Sequence, residues 1–244
     1  MAAITSVNAL LEALRDGSPV NKVLLSRSAR DAKTAAVIEM CRRRRVVFQF
    51  VPAAALERKA GPRNQGVWAE VSPVAFYGVE DLLAGARSGL IVVLDGIEDT
   101  GNLGAIVRTA AAAAADGVLI SVRGSAPVND TAWKTSAGAL AKVRLAQSRN
   151  LARDVEKLKA GGFWVVAADA RAQMPFHEFD FSAPTAIILG NEGKGVSPLL
   201  KKCADQLLAI PHAPAVESLN VSAAAAVILM EAYRQKQFKV KSEK

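Results

Sequence analysis

The sequence predicts an α/β protein: a parallel-sheet domain preceded by a small α/β domain. Three observations carry this. Apolar runs alternate with helix-periodic segments along almost the whole chain. Two of the runs, "LIVVLD" (Leu90–Asp95) and "TAIILG" (Thr185–Gly190), are apolar nearly throughout, as strands buried on both faces are. Both run straight into polar, glycine-punctuated loops that open helices.

Taken in order, apolar spacing predicts a helix over Val7–Leu14, a strand at Lys22–Ser26 and a helix over 29–44 that ends in the run Arg42–Arg45. A strand follows at Val46–Val51, then a short helix at Ala53–Lys59 and a strand at Gly66–Val71. This suits a small α/β sandwich. Ser72–Gly89 mixes turn residues with one short apolar stretch and reads as a linker, giving domains at 1–72 and 90–244 with residues 73–89 between them. In the second part, strands are expected at 90–95, 117–122, 142–146, 163–168, 185–190 and 206–210. Helices fall near 103–115, 131–139, 151–160, 197–203 and 219–235, which implies a largely parallel sheet covered on both faces. The alanine runs Ala110–Ala115 and Ala223–Ala226 read as helices in close packing, alanine being the best helix former and small.

The chain has 244 residues and a formal charge of +8. Residues 1–78 hold 12 Lys/Arg against 6 Asp/Glu, whereas residues 79–244 hold 19 against 17. The basic excess therefore sits in the first third, as a nucleic-acid footprint or as a solvated face. The two cysteines, Cys41 and Cys203, have no CxxC spacing, and the two histidines make no metal-ligand pattern. Neither disulfide nor metal is expected, and a reducing cytoplasm fits. The start of the chain lacks the pattern of a signal peptide, and no uncharged stretch approaches a membrane span.

Three loops carry the chemistry. "LDGIEDTGNLGAIVRTA" (Leu94–Ala110) has the gap of a phosphate-binding loop from Gly96 to Gly101, but Asn102 and Leu103 stand where Lys and Ser/Thr must be. No Gly-x-Gly-x-x-Gly pattern occurs. Asp99 to Asn102 could simply turn the chain and cap the helix. Arg108, in an otherwise small and apolar helix, would be costly to bury unpaired. "ILGNEGKGV" (Ile188–Val196) interleaves three glycines with Asn191, Glu192 and Lys194, either as an ordinary turn or as backbone able to approach a ligand. In "IPHAPAVESLNVSAAAA" (Ile210–Ala226), Ser218 is the expected cap of the last helix, with Asn220 in its first turn, able to donate and accept at once.

Together these stretches resemble the three signature motifs of the SpoU/TrmH family of RNA 2′-O-ribose methyltransferases, in the family's order and spacing. The resemblance spans nearly the whole chain and is nearest to the branch acting on a guanosine of 23S (large-subunit) rRNA. It implies a catalytic domain with a deep trefoil knot, an amino-terminal substrate-binding domain of ribosomal-protein-like fold, S-adenosylmethionine as cofactor, and a homodimer whose site is completed across the interface. By motif position, Ala168, Gly190, Gly195, Ile210 and Leu219 would hold the cofactor, largely through backbone. Asn102, Arg108, Glu192, Ser218 and Asn220 would form the catalytic set, in which the resemblance gives Arg108 the activation of the 2′-hydroxyl. Because a guanidinium stays protonated at pH 7, the expected form of that role is Arg108 on the adjacent RNA phosphate, polarising the hydroxyl, with the proton leaving to phosphate or water.

Departures from the family fall in the first domain. Ala3 and Thr5 replace a common glycine and histidine, and Asn64 replaces a histidine. Arg63, Asn64 and Gln65 still form an expected phosphate or base reader, with Arg42, Arg43, Arg44 and Arg45 as electrostatic support. With 5% aromatics, little base stacking is expected. Alternatives within the enzymes are a tRNA 2′-O-methyltransferase, a thiostrepton-resistance-type rRNA methyltransferase or, less well matched, a glycine-rich-loop methyltransferase of another class. Outside them stands a non-catalytic RNA-binding or ribosome-assembly protein.

Overall fold

A computed structural model of the chain describes residues 3–16, 18–28, 31–62, 64–71, 74–213, 215 and 217–242. The chain divides into two compact units, residues 1–75 with 128–130 and residues 76–127 with 131–244.

The smaller unit runs β1 (Ala3–Ile4), α1 (Val7–Asp16), β2 (Val20–Ser26), α2 (Ala32–Arg43), β3 (Val47–Val51), α3 (Ala53–Ala60) and β4 (Val67–Val71). Its sheet has the order β1-β4-β2-β3, with β2 and β3 parallel and β4 antiparallel to both of its neighbours. Leu10 and Leu14 of α1 and Val37 and Cys41 of α2 pack with Val23 and Leu25 on one face. Leu24, Trp68 and Leu56 of α3 fill the other. The alternation of β2 side chains between two covered faces is why this short strand reads as almost wholly apolar.

The larger unit runs β5 (Phe76–Tyr77), α4 (Val79–Ala84), β6 (Leu90–Asp95), α5 (Thr100–Ala112), β7 (Gly117–Ser121), α6 (Asp130–Thr135), β8 (Arg144–Ser148), α7 (Leu151–Ala160), β9 (Trp164–Ala168), β10 (Met174–Pro175), β11 (Thr185–Gly190), α8 (Pro198–Cys203), β12 (Gln206–Ala209) and α9 (Val221–Ser242). The eight strands lie in the order β10-β12-β9-β11-β6-β7-β8-β5, and every ladder is parallel. The apolar runs of β6 and β11 pair side by side at the centre, with Ile91–Leu94 and Ala186–Leu189 fully buried. Small alanines, Ala110 and Ala225 among them, let α5 and α9 pack against each other.

The expected linker is corrected here. Phe76 and Tyr77 pair with Leu145 and Ala146 as the sheet's edge strand, and Val79 and Leu82 of α4 are buried in the larger unit's core. A two-residue strand and a six-residue helix are too short to show a periodicity, so tertiary burial decides them.

From β6 the chain moves through β7 to β8 on one side, then returns through β9 on the other, leaving β6 and β11 adjacent. Such a reversal opens a crevice beyond the carboxyl ends of the strands, where open parallel sheets bind ligands.

Candidate active site

Beyond the ends of β9, β11 and β12 lies a cleft of about 660 Å³. That size belongs to the range of about 300–1,000 Å³ typical of small-molecule and cofactor sites. Ala168, Gly190, Gly195, Ile210 and Leu219 all line it, so the five expected cofactor residues share one cavity. Leu189, Val196, Leu208 and Val221 supply apolar wall.

The mouth of β11 is stitched shut by polar side chains. Asn191 Nδ2 donates to the Gly96 carbonyl at 2.8 Å, and Asn191 Oδ1 accepts from the Gly193 and Lys194 amides. The Ser197 amide donates to Asp95 Oδ2 at 2.7 Å. These bonds join the ends of β6 and β11 to the start of α8. Only Gly195 of the three motif glycines has a positive φ, +66°. Gly190 serves differently: a Cβ there would fall inside the backbone of Gly195 and Val196, which folds back on the strand end. The close approach is therefore first of all to the protein's own chain.

Three of the five expected catalytic residues form a hydrogen-bonded row. Asn102 Nδ2 donates to Glu192 Oε1 at 2.6 Å, and Asn220 Nδ2 donates to Asn102 Oδ1 at 3.2 Å. Each position follows from local structure. Asp99 caps α5 by accepting from the Asn102 amide at 2.7 Å, so the capping role falls to Asp99 and frees the Asn102 side chain. At α9 the expected roles change places. Asn220 precedes the helix, and its Oδ1 accepts from the Ser222 amide at 2.8 Å and from Ser222 Oγ at 2.6 Å. An amide has two ends, so its oxygen caps the helix while its nitrogen reaches Asn102. Ser218 does not cap α9. It is exposed and lines the cleft with Glu217 and Leu219.

Arg108 stands apart from this row. It is exposed on α5 and, among the described residues, makes no hydrogen bond or ion pair. The expected burial cost therefore does not arise. Six residues of helix set it about 120° around the axis from Asn102 and about 9 Å along it.

Two features of the cleft carried no signal in the motifs. Lys201 of α8 pairs with Asp169 at 2.7 Å, and both line the cavity. That ion pair holds the Asp169 carboxyl below its ordinary range. His212 also lines it, with Nδ1 2.7 Å from the Ile210 carbonyl oxygen. Asp169 adjoins Ala168 and His212 lies within the third motif, yet their roles depend on contacts between distant strands.

In the smaller unit, Arg42, Arg43, Arg44 and Arg45 are exposed where α2 ends, with Arg45 in the left-handed region at φ +58°. Asn64 and Gln65 are occupied locally. Asn64 donates to Gly61 and accepts from the Gly66 amide, and Gln65 Oε1 accepts from the Val7 amide that opens α1 and from Ser6 Oγ. Arg63 lies outside the described residues. Val47 pairs with Lys22 at one end of β2, while the Gly66 carbonyl accepts from the Ser26 amide at the other. The arginine run and the 64–65 amides thus sit about 13 Å apart along the strand, at opposite ends of the sheet.

The fit to a nucleoside-type cofactor is good. The cavity has apolar walls, and among the described residues the backbone amide and carbonyl of Leu219, exposed on its lining, make no hydrogen bond. The described residues contain no group of three or more His, Cys, Asp or Glu able to hold a metal ion, and no helix among them is long and apolar enough to cross a membrane.

Comparison with known proteins agrees with this geometry. Residues 89–230 match the model of the SpoU rRNA Methylase family, and residues 7–77 match that of RNA 2′-O ribose methyltransferase substrate binding. A Bacillus subtilis protein assigned to the TrmH family of tRNA/rRNA methyltransferases is 34% identical over 94% of each chain. A Mycobacterium avium protein described as an uncharacterized tRNA/rRNA methyltransferase is 39% identical over 94% of this chain and 76% of its own. Among solved structures, the SpoU methyltransferase AviRb from Streptomyces viridochromogenes, in complex with AdoMet, superposes with a TM-score of 0.62 at 27% identity, covering 97% of this chain and 90% of its own. The A. aeolicus TrmH/SpoU tRNA modifying enzyme is 31% identical with a TM-score of 0.58, covering 66% of this chain and 82% of its own. The chain belongs to the SpoU/TrmH family of S-adenosylmethionine-dependent RNA 2′-O-ribose methyltransferases.

Proposed function

We propose that the chain methylates the ribose 2′-hydroxyl of a guanosine in 23S rRNA. The observation that carries the reading is the row Asn220–Asn102–Glu192, which joins the three motif loops beside the cofactor cleft. S-adenosylmethionine would supply a methyl group already activated on a sulfonium. The protein must then align the 2′-oxygen behind that carbon, which is worth an effective molarity of about 10⁵–10⁸ M. Gly190, Gly195, Ile210, Leu219 and Ala168 would grip the cofactor, with the free backbone groups of Leu219 as its hydrogen-bond partners. Asn102 and Glu192 would orient the nucleotide, and Ser218 and Asn220 would hold the loop that faces it.

Arg108 would bind the RNA phosphate next to the target and polarise the hydroxyl. Its guanidinium stays protonated at pH 7, so it serves as a donor rather than a base. Its separation from Asn102 on α5 favours a homodimer in which Arg108 of one copy completes the site of the other. The trefoil knot goes with the same reading, since Ile210 and His212 after β12 and Glu217, Ser218 and Leu219 before α9 all line the cleft.

The exposed arginine run would hold RNA electrostatically, with Asn64 and Gln65 shaping their loop and meeting RNA at the far end of the sheet; Arg63 would add a further phosphate or base contact. Ribosomal RNA is favoured over tRNA because the tRNA modifying relative matches only 66% of the chain. A cytoplasmic location goes with such a substrate and with the free thiols of Cys41 and Cys203.

The test is transfer of labelled methyl from S-adenosylmethionine into separate 23S rRNA, 16S rRNA and tRNA, with the modified ribose mapped. A single 2′-O-methylguanosine in 23S rRNA is expected. Label in tRNA alone would refute the ribosomal assignment. Label on a base would refute ribose chemistry.

A further inference from the structure

The groups assigned above leave the proton of the 2′-hydroxyl without a protein acceptor. We infer that His212 accepts it, at Nε2. This rests on the ribose-methylation reading and adds the base to it.

His212 lies two residues beyond Ile210 and lines the cleft that Gly190, Ser218 and Leu219 also line. Its Nδ1 is 2.7 Å from the Ile210 carbonyl oxygen. A carbonyl can only accept, so Nδ1 carries the hydrogen, and the lone pair of the neutral ring is left on Nε2. The ring is thus oriented by the end of β12 itself, before any substrate arrives.

The other charged groups of the cleft are less suited. They are Asp169 and Arg171 after β9, Glu192 and Lys194 after β11, Lys201 on α8, and Glu217 before α9. Asp169 is committed to Lys201, and Glu192 accepts from Asn102. Carboxylates with an ordinary pKa of about 4 are weak bases, and Lys and Arg are protonated at neutral pH. An imidazole, ordinarily near 6.5, is matched to proton removal at pH 7. The chain has one other histidine, His177, in the segment Phe176–Glu178, which does not line the cleft.

In the step, the 2′-oxygen bonds to the methyl carbon as the carbon–sulfur bond breaks, and the electron pair of that bond goes to sulfur. The hydroxyl proton passes to His212 Nε2. The positive charge lost at sulfur reappears on the imidazolium, so the net charge of the site is unchanged.

The informative variant is His212→Asn, whose side-chain amide can still donate to the Ile210 carbonyl but has no basic nitrogen. In the full-length protein, S-adenosylhomocysteine affinity should stay within about twofold, while the single-turnover methyl-transfer rate should fall about 100-fold or more. The fall in wild-type rate on acidification should vanish in the variant. Nitrogen-15 NMR of the free protein, with the His212 signals identified by their loss in the variant, should report hydrogen on Nδ1 and a bare Nε2. A variant rate within about threefold of wild type with the same acid limb would overturn the proposal, as would hydrogen on Nε2 in neutral wild type. Weakened S-adenosylhomocysteine binding with an intact rate would also overturn it, making His212 a positioning residue of the cofactor loop. No transfer by the wild type to any RNA would overturn the methylation reading itself, and this proposal with it.

Discussion

The motif Gly190-Asn191-Glu192-Gly193-Lys194-Gly195 contains three glycines whose replacement by alanine should cost three different amounts. Gly190→Ala puts a methyl group inside the backbone of Gly195 and Val196. Backbone cannot rotate aside, and Asn191 and Ser197 pin this turn to Gly96 and Asp95. The cost should reach the top of the overpacking range, about 3 kcal/mol. Gly195→Ala meets no atom within 4 Å but must hold φ at +66°, for about 1–2 kcal/mol. Gly193→Ala faces only Asn191 Oδ1 at 3.7 Å and has no positive φ, so it should stay within about 0.5 kcal/mol of wild type. For a chain of this size, 1 kcal/mol moves Tm by about 2–4 °C. The expected losses are then about 6–12 °C, about 2–8 °C and at most about 2 °C. Scanning calorimetry on the full chain reads them, and titration with S-adenosylhomocysteine should show binding lost in Gly190→Ala alone. A Gly190→Ala protein melting within about 2 °C of wild type would refute the argument that this glycine exists for chain-on-chain packing.

Asn102→Ala removes both bonds of the polar row, which is partly exposed, so turnover should fall about 10–100-fold with Tm moved by less than about 2 °C; a fully active variant would exclude the row from the site. Arg108→Lys should lose most turnover, because one ammonium cannot reproduce the planar guanidinium, while Tm and cofactor affinity stay level; near-wild-type turnover would refute the phosphate-binding role. Asp169 is ionised below its ordinary pKa by Lys201, so the pair's contribution is complete above about pH 4 and lost as pH falls through the lower folded value. Asp169→Asn should therefore lower Tm at pH 7 and converge on wild type as acid protonates the folded carboxyl; a gap that widens on acidification would reverse the sign and refute the pairing. Replacing Arg42–Arg45 with glutamine should flatten the dependence of log affinity on log salt by about 0.7–0.9 for each lost phosphate contact; an unchanged slope would leave the run a solvated helix end.

Much of this protein was legible in the chain as written. The apolar runs of β6 and β11 announce strands buried on both faces, because a run without alternation has no face to give to water. Polar loops after such strands mark where a parallel sheet binds ligands, and the motif resemblance then singles out Asn102, Glu192 and Asn220 within those loops. Short elements could not be. β5 and α4 hold too few residues for a period to show, and only burial of Val79 and Leu82 makes them part of the sheet's unit. Nor does spacing tell which end of an amide does what. That Asn220 caps α9 with its oxygen and reaches Asn102 with its nitrogen depends on two helix starts being brought together across 118 positions of chain. The same holds for Lys201 with Asp169, and for the arginine run and Asn64, which are close in sequence yet stand at opposite ends of one sheet. Local patterns of residues determine elements and their buried faces through propensity and periodicity. Which polar atoms meet is decided only when strands distant in sequence pair, because a hydrogen bond is set by ångström-scale distance and direction, which the linear order of residues does not contain.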